Sequence, residues 1–154
     1  MKILDFLDER AISTDLKSED KEGIINELVG LLTEANRVKN KNEMVKILLE
    51  RESLGSTGIG QGIAIPHGKS PKVKKMVAAL GISKKGVNFD ALDGEPVYIL
   101  FLLLAPANSA GPHLKALARI SRLLKDKYFR DSLRNASDKE TVLKTIKQED
   151  EIKE

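Results

Sequence analysis

The chain has 154 residues, of which 41% are hydrophobic and 32% charged. This balance suits one globular domain, residues 1–154, long enough to bury a core. Aromatics are only 4% and there is no Trp, so the core is to be built from Ile, Leu, Val and Ala. The net charge of +3 is spread over interspersed Lys, Arg, Asp and Glu, which excludes the basic stripe of a nucleic-acid binder. The lack of Cys excludes disulfides, thiolate metal sites and cysteine nucleophiles, and is compatible with a cytoplasmic location.

Met1 to Arg10 mixes apolar residues with acids and does not read as a signal peptide. Ser18 to Glu22 supplies a helix start with acids in the first turn. Ile24, Ile25, Leu28, Leu31 and Leu32 then recur at helical spacing to about Asn36. A second helix is expected from near Asn42, with Met44, Val45, Ile47, Leu48 and Leu49 on its apolar face, ending at Leu54 and Gly55. Short apolar runs at Gly62 to Pro66 and Met76 to Ser83 read as strands. Ala91 to Pro96 reads as a turn, and Val97 to Ala105 as a strand buried on both faces. That last run is too short to span a bilayer, so no membrane insertion is expected. Pro106 to Pro112 is a loop of small residues, and His113 opens a helix carrying Leu114, Leu117, Ala118, Ile120, Ser121 and Leu124. Two short helices, near Phe129 to Arg134 and Ser137 to Lys147, precede a charged tail, residues 148–154, expected to fray. Alternating helices and buried strands imply an α/β layer structure, with helices covering a central sheet.

The chemistry concentrates in Gly55-Ser-Thr-Gly-Ile-Gly-Gln-Gly-Ile-Ala-Ile-Pro-His67-Gly68. It places one of only two histidines at the end of a short apolar strand, behind a glycine-rich loop bearing hydroxyls. Pro66 fixes the strand's exit, and Gly68 removes a side chain that would cover the imidazole. Gly58 and Gly60 let backbone N–H groups approach an anion, while Ser56 and Thr57 add hydroxyl donors. Arg51, just ahead of the loop, offers a guanidinium fork to the same anion. His113, after Gly111 and Pro112 at a helix start, reads either as a capping-region residue or as a ring beside the first histidine; there the helix dipole favours the neutral imidazole, which could hydrogen-bond a partner or a phosphate oxygen.

Other chemistries fit poorly. Ile63 stands where a dinucleotide fingerprint needs its last glycine, and no helix opens there. Gly62 to Ser70 has five residues before Gly-Lys where a nucleotide P-loop has four, and Pro66 lacks an N–H. Two histidines without Cys or a neighbouring acidic cluster make a poor zinc site, and there is no Gly-x-Ser-x-Gly elbow. No metal and no cofactor are expected.

Arg51-Glu-x-x-Gly-Ser-Thr-Gly-Ile-Gly-x-Gly-Ile-Ala-Ile-Pro-His67-Gly68 closely resembles the signature of IIA phosphocarrier domains of the bacterial phosphoenolpyruvate-dependent phosphotransferase system, in the fructose/mannitol and nitrogen-regulatory branch. Ala105-Pro106 and His113-Leu-Lys-Ala-Leu-Ala-Arg-Ile-Ser121 form a second matching block, and the resemblance spans essentially the whole chain. It implies a central mixed β-sheet flanked by helices on both faces. His67 then accepts a phosphoryl group on its tele nitrogen from phospho-HPr, a transfer that needs no nucleotide. Arg51 lies beside the phosphate, and His113 orients the active ring or contacts the phosphate. The next recipient is a IIB component in sugar uptake, or a regulatory target in nitrogen-type signalling. The alternative is a binding module without phosphotransfer, whose partner reads the phosphorylation state of His67. Ile59 is the loop residue expected to face HPr.

Overall fold

The computed structural model describes residues 1–153. After a single 3-10 turn at Ile3–Asp5 the chain forms β1 (Leu7–Ser13), α1 (Lys21–Glu34) and α2 (Lys41–Ser53). Three short strands follow: β2 (Gly58–Gly60), β3 (Ile63–Ala64) and β4 (His67–Ser70). Two long strands, β5 (Val77–Val87) and β6 (Val97–Pro106), lead into α3 (Ala110–Leu124), α4 (Lys127–Asn135) and α5 (Lys139–Ile152). No helix among the described residues is long and apolar enough to cross a membrane.

The six strands make one mixed sheet in the order β1-β5-β6-β3-β2, with β4 also paired to β6. β6 is the axis. It runs antiparallel to β5 and parallel to both β3 and β4. Its side chains alternate between two cores, as a strand's period of two requires. Leu100, Leu102 and Leu104 pack with Ile24, Ile25, Leu28, Met44 and Leu48 of α1 and α2. Ile99, Phe101 and Leu103 pack with Ala116, Ile120, Leu133, Val142 and Ile146 of α3, α4 and α5. Helices thus cover both faces of the sheet. The expectation that β6 is buried on both sides holds, since Val97 and Ile99 to Ala105 are at most 3% exposed.

α1 begins where its cap lies: the Asp20 side chain accepts from Gly23 N at 2.7 Å, satisfying one of the orphan donors of the first turn. It ends at Ala35, with Asn36 in the left-handed region at φ 57°.

Four expectations need correction. The run Gly62 to Pro66 is not one strand. β3 pairs Ile63 and Ala64 with Ile99 and Leu100; β4 resumes at His67, which pairs with Leu103. Pro66 has no N–H to give to the ladder, so the pairing breaks there. His67 therefore opens a strand rather than ending one. The helix bearing His113 starts three residues earlier, at Ala110, and Leu114 points outward at 67% exposure. The inner face is instead carried by His113, Ala116, Ile120, Leu123 and Leu124. Finally, the charged tail does not fray. α5 continues to Ile152, with Glu149 and Asp150 buried, while Glu154 lies outside the described residues.

Candidate functional site

The break at Pro66 sets the geometry of the site. Ile65 N donates sideways to Thr57 O at 3.1 Å, and the Ile65 carbonyl is left for a side chain. His67 Nδ1 lies 2.7 Å from that carbonyl oxygen. A carbonyl only accepts, so Nδ1 carries the proton, and the lone pair of the neutral ring sits on Nε2, the tele nitrogen.

His113 reaches His67 from the fourth position of α3. The ring centroids are 5.6 Å apart and the planes meet at 80°, edge to face. His113 is 4% exposed, and its Nε2 has no hydrogen-bond partner among the described residues. A buried imidazole nitrogen without a partner is costly and calls for a ligand group.

Burial lowers the pKa of both rings. His113 is pushed down to about 4, first by burial and then by the charge His67 carries when protonated and by that of Lys69. His67 lies below the usual histidine value of 6.5, again chiefly through burial, with the charges of Arg51 and Lys69 acting the same way. The Ile65 hydrogen bond and Glu52 oppose the shift. Both rings are therefore neutral at pH 7.

Arg51, in the last turn of α2, donates from Nη1 to Gly55 O at 2.8 Å, and its charge is felt at His67. Its other guanidinium N–H groups have no partner among the described residues.

The glycine-rich loop behaves differently from the expected anion cradle. Ser56 Oγ donates to Phe89 O at 2.6 Å and accepts from Gly58 N at 3.0 Å. Thr57 is 4% exposed and its hydroxyl donates to Glu52. Glu52 also accepts from Thr57 N, at 3.2 Å for each oxygen, and pairs with Lys21 Nζ at 3.2 Å. Gln61 N donates to Asp93 Oδ2 at 3.0 Å, and Gly55 N to Glu52 O at 3.1 Å. Both hydroxyl protons and these amides thus serve the loop itself. Gly58 is needed for another reason: a Cβ there would lie 2.9 Å from Ala91 Cα. Gly60 takes φ 98° at the tight turn into β3.

The structure thus brings His67, His113 and Arg51 to one place and leaves Ser56, Thr57, Gly58 and Gly60 as the scaffold beneath them. Glu52, adjacent to Arg51 in the signature, is the residue whose part the sequence reading missed. A carboxylate one residue after the arginine and five before the loop threonine was its only signal. Among the described residues no three His, Asp or Glu side chains gather as a metal-holding group.

Comparison with known proteins finds relatives along nearly the whole chain. Residues 5–149 match the family model described as "Phosphoenolpyruvate-dependent sugar phosphotransferase system, EIIA 2". A nitrogen regulatory protein of Bradyrhizobium diazoefficiens is 38% identical over 146 residues, covering 95% of each chain. The fructose-specific EIIABC component of Bacillus subtilis is 37% identical over 150 residues. These are 97% of this chain, which spans only 24% of the length of that relative. The crystal structure of the nitrogen regulatory protein IIA-Ntr from Neisseria meningitidis superposes with a TM-score of 0.86 at 36% identity, over 92% of this chain and 97% of that one. A match over nearly the whole chain, together with the shared fold, makes this chain a member of the EIIA 2 family of the phosphoenolpyruvate-dependent sugar phosphotransferase system.

Proposed function

We propose that this chain is a phosphocarrier in which His67 Nε2 accepts a phosphoryl group from the phosphohistidine of an HPr-type donor and later passes it on. The observation that carries this reading is the 2.7 Å hydrogen bond from His67 Nδ1 to the Ile65 carbonyl, which fixes the tautomer with the lone pair on Nε2. In the transfer, that lone pair attacks phosphorus and the N–P bond of the donor breaks. The bonding electrons return to the donor imidazole, so no nucleotide and no external base is consumed. The work left to the protein is in-line positioning and the stabilisation of charge on the phosphoryl oxygens. The unpartnered Nε2 of His113 and the open face of the Arg51 guanidinium are the groups offered to those oxygens. Exposed Leu54, Ile59, Leu92 and Leu114 follow or adjoin Arg51, Gly58 and His113 in the chain or by hydrogen bond, an apolar rim suited to a protein donor.

The destination of the phosphoryl group follows the relatives in two directions. The fructose-specific EIIABC relative supports a IIB-type acceptor in sugar uptake. The nitrogen regulatory relatives support a signalling role, in which a target protein reads the state of His67. Both begin with the same step and share one test. Incubation with a phospho-HPr-type donor regenerated from labelled phosphoenolpyruvate labels the protein at one site, acid-labile and stable to base. His67→Ala abolishes the label and His113→Ala slows its appearance. Full labelling of the His67→Ala protein overturns the assignment. Transfer of the label onward to an added IIB protein then separates uptake from signalling.

A further inference from the structure

We propose that Lys69 is a phosphate-holding residue of this site, its ammonium group engaging the oxygens of the phosphoryl group on His67. This rests on the reading of His67 as the phosphoryl carrier.

The first support is a shortage of donors. A phosphoryl group brings nearly two negative charges at neutral pH. The loop expected to receive them is already satisfied internally: Thr57 N faces Glu52, Gly58 N faces Ser56 Oγ and Gln61 N faces Asp93. His113 is neutral and supplies no charge. That leaves Arg51 on α2 as a single fixed cation against nearly two charges, with one of its N–H groups spent on Gly55 O.

The second support is placement. In β4 the residues His67, Gly68 and Lys69 pair in sequence with Leu103, Leu104 and Ala105 of β6. A Cβ on Gly68 would lie 2.8 Å from Ile47 Cγ2, so position 68 faces α2. Alternation puts His67 and Lys69 together on the opposite side, toward α3 and His113. Their Cα atoms are about 6.6 Å apart along the strand, within the span of a lysine stem.

The third support is what Lys69 lacks. It is exposed, and its ammonium group makes no hydrogen bond or ion pair among the described residues. Other lysines near this end of the fold are occupied: Lys72 pairs with Glu43 at 2.8 Å, and Lys21 with Glu52 and Asp90. Its charge is nonetheless felt at both imidazoles, lowering the pKa of His67 and of His113. The charged groups acting on His67 are Arg51 and Glu52 from α2 and Lys69 from its own strand, while the His113 ring of α3 stands edge to face with it. Of these charged groups, Lys69 is the one whose side chain has no partner among the described residues.

The test measures single-turnover phosphorylation of wild type, Lys69→Gln, Lys69→Arg and, as a control for bulk surface charge, Lys72→Gln. Two donors are used, the phospho-HPr-type protein and the small molecule phosphoramidate. Lys69→Gln is expected to be phosphorylated about tenfold more slowly by both donors, the loss of one hydrogen bond to a charged group. Lys69→Arg and Lys72→Gln stay near wild type. In the unphosphorylated Lys69→Gln protein the titration midpoint of His113, read by NMR, moves up. Three results overturn the role of Lys69: a Lys69→Gln rate equal to wild type, an unmoved His113 midpoint, or a loss confined to the protein donor. The last would make Lys69 a docking contact instead. Wild-type protein that takes no label from either donor overturns the phosphocarrier reading itself.

Discussion

At the scale of single residues, the site is governed by which nitrogen holds a proton. His67 is fixed by one carbonyl, Ile65 O, and that carbonyl is free only because Pro66 interrupts the ladder between β3 and β4. In the proposed transfer the neutral ring is the nucleophile, so its pKa sets the acid limit of the reaction. Burial and the charges of Arg51 and Lys69 hold that pKa below 6.5. The rate of phosphoryl uptake should therefore stay level through pH 7 and 8 and fall only as pH drops below about 6.5, the ordinary histidine value. A single-turnover pH profile with its midpoint at or above 7 would contradict the burial argument. His67, His113 and Arg51 were legible in the sequence because each is a rare or strongly typed residue beside glycine or at a helix boundary. The parts of Ser56 and Thr57 were not. A hydroxyl in a glycine loop reads as an anion donor until its partner is known. Here the partners are Phe89 O, 33 residues away, and the buried carboxylate of Glu52.

At the scale of elements, periodicity found most of the fold where one face is apolar, and failed where long-range pairing decides. α1, α2 and β6 carry their own signals. β1, with the sequence Leu-Asp-Glu-Arg-Ala-Ile-Ser, does not: its pairing with β5 shifts register between Leu7 and Ile12, so no clean alternation is written in it. The end of α5 misled for a related reason. A charged stretch at a terminus reads as solvated, yet Asp150 is 3% exposed. It accepts from Ile3 N at 2.7 Å, and from Arg119 Nε and Nη2 at 3.0 and 2.6 Å. Those partners lie 147 and 31 residues away, beyond any local window. This carboxylate ties α5 to the start of the chain and to α3, the helix that carries His113. Asp150→Ala leaves the Arg119 side chain, 11% exposed, without its counter-ion, and a buried backbone N–H without an acceptor. Breaking such a pair should cost about 3 kcal/mol of folding stability, measurable by urea denaturation. A loss below about 0.5 kcal/mol, the range of ordinary surface substitutions, would show that the end of α5 is not anchored.

At the scale of the whole molecule, one sheet divides two aliphatic cores, and the site lies at the edge of that sheet, where β4 meets α3. Holding His113 neutral inside one of those cores has a consequence for the entire fold. In the unfolded chain this histidine titrates near 6.5, whereas in the folded protein it does so at about 4. Above pH 6.5 neither state binds the proton, and His113 makes no difference to stability. As pH falls below 6.5 the unfolded chain takes up the proton and the folded protein does not, so stability declines until about pH 4. The full difference is about 3 kcal/mol at 1.36 kcal/mol per unit. Asp8 acts lower on the scale and in the same direction. Its side chain is 6% exposed and pairs with Arg10 at 3.1 Å and Arg37 at 2.5 Å. The Arg10 hydrogen bond first, with that of Arg37, holds its pKa well below the ordinary 3.8. Its contribution is whole above 3.8 and is lost only as pH drops below that value. Acid unfolding should thus begin well before the carboxylates protonate. In His113→Gln the decline between pH 6.5 and 4 should be much shallower, with a residual slope from His67, while the steeper loss below pH 4 remains. Urea midpoints for the two proteins at pH 7.5, 5.5 and 4.5 decide the matter. Parallel midpoints across that range would mean that His113 accepts a proton in the folded state near its ordinary pKa and is not held neutral by burial. A midpoint gap that closes as pH falls is the outcome expected if the neutrality that suits His113 to the site is maintained at the expense of stability in acid.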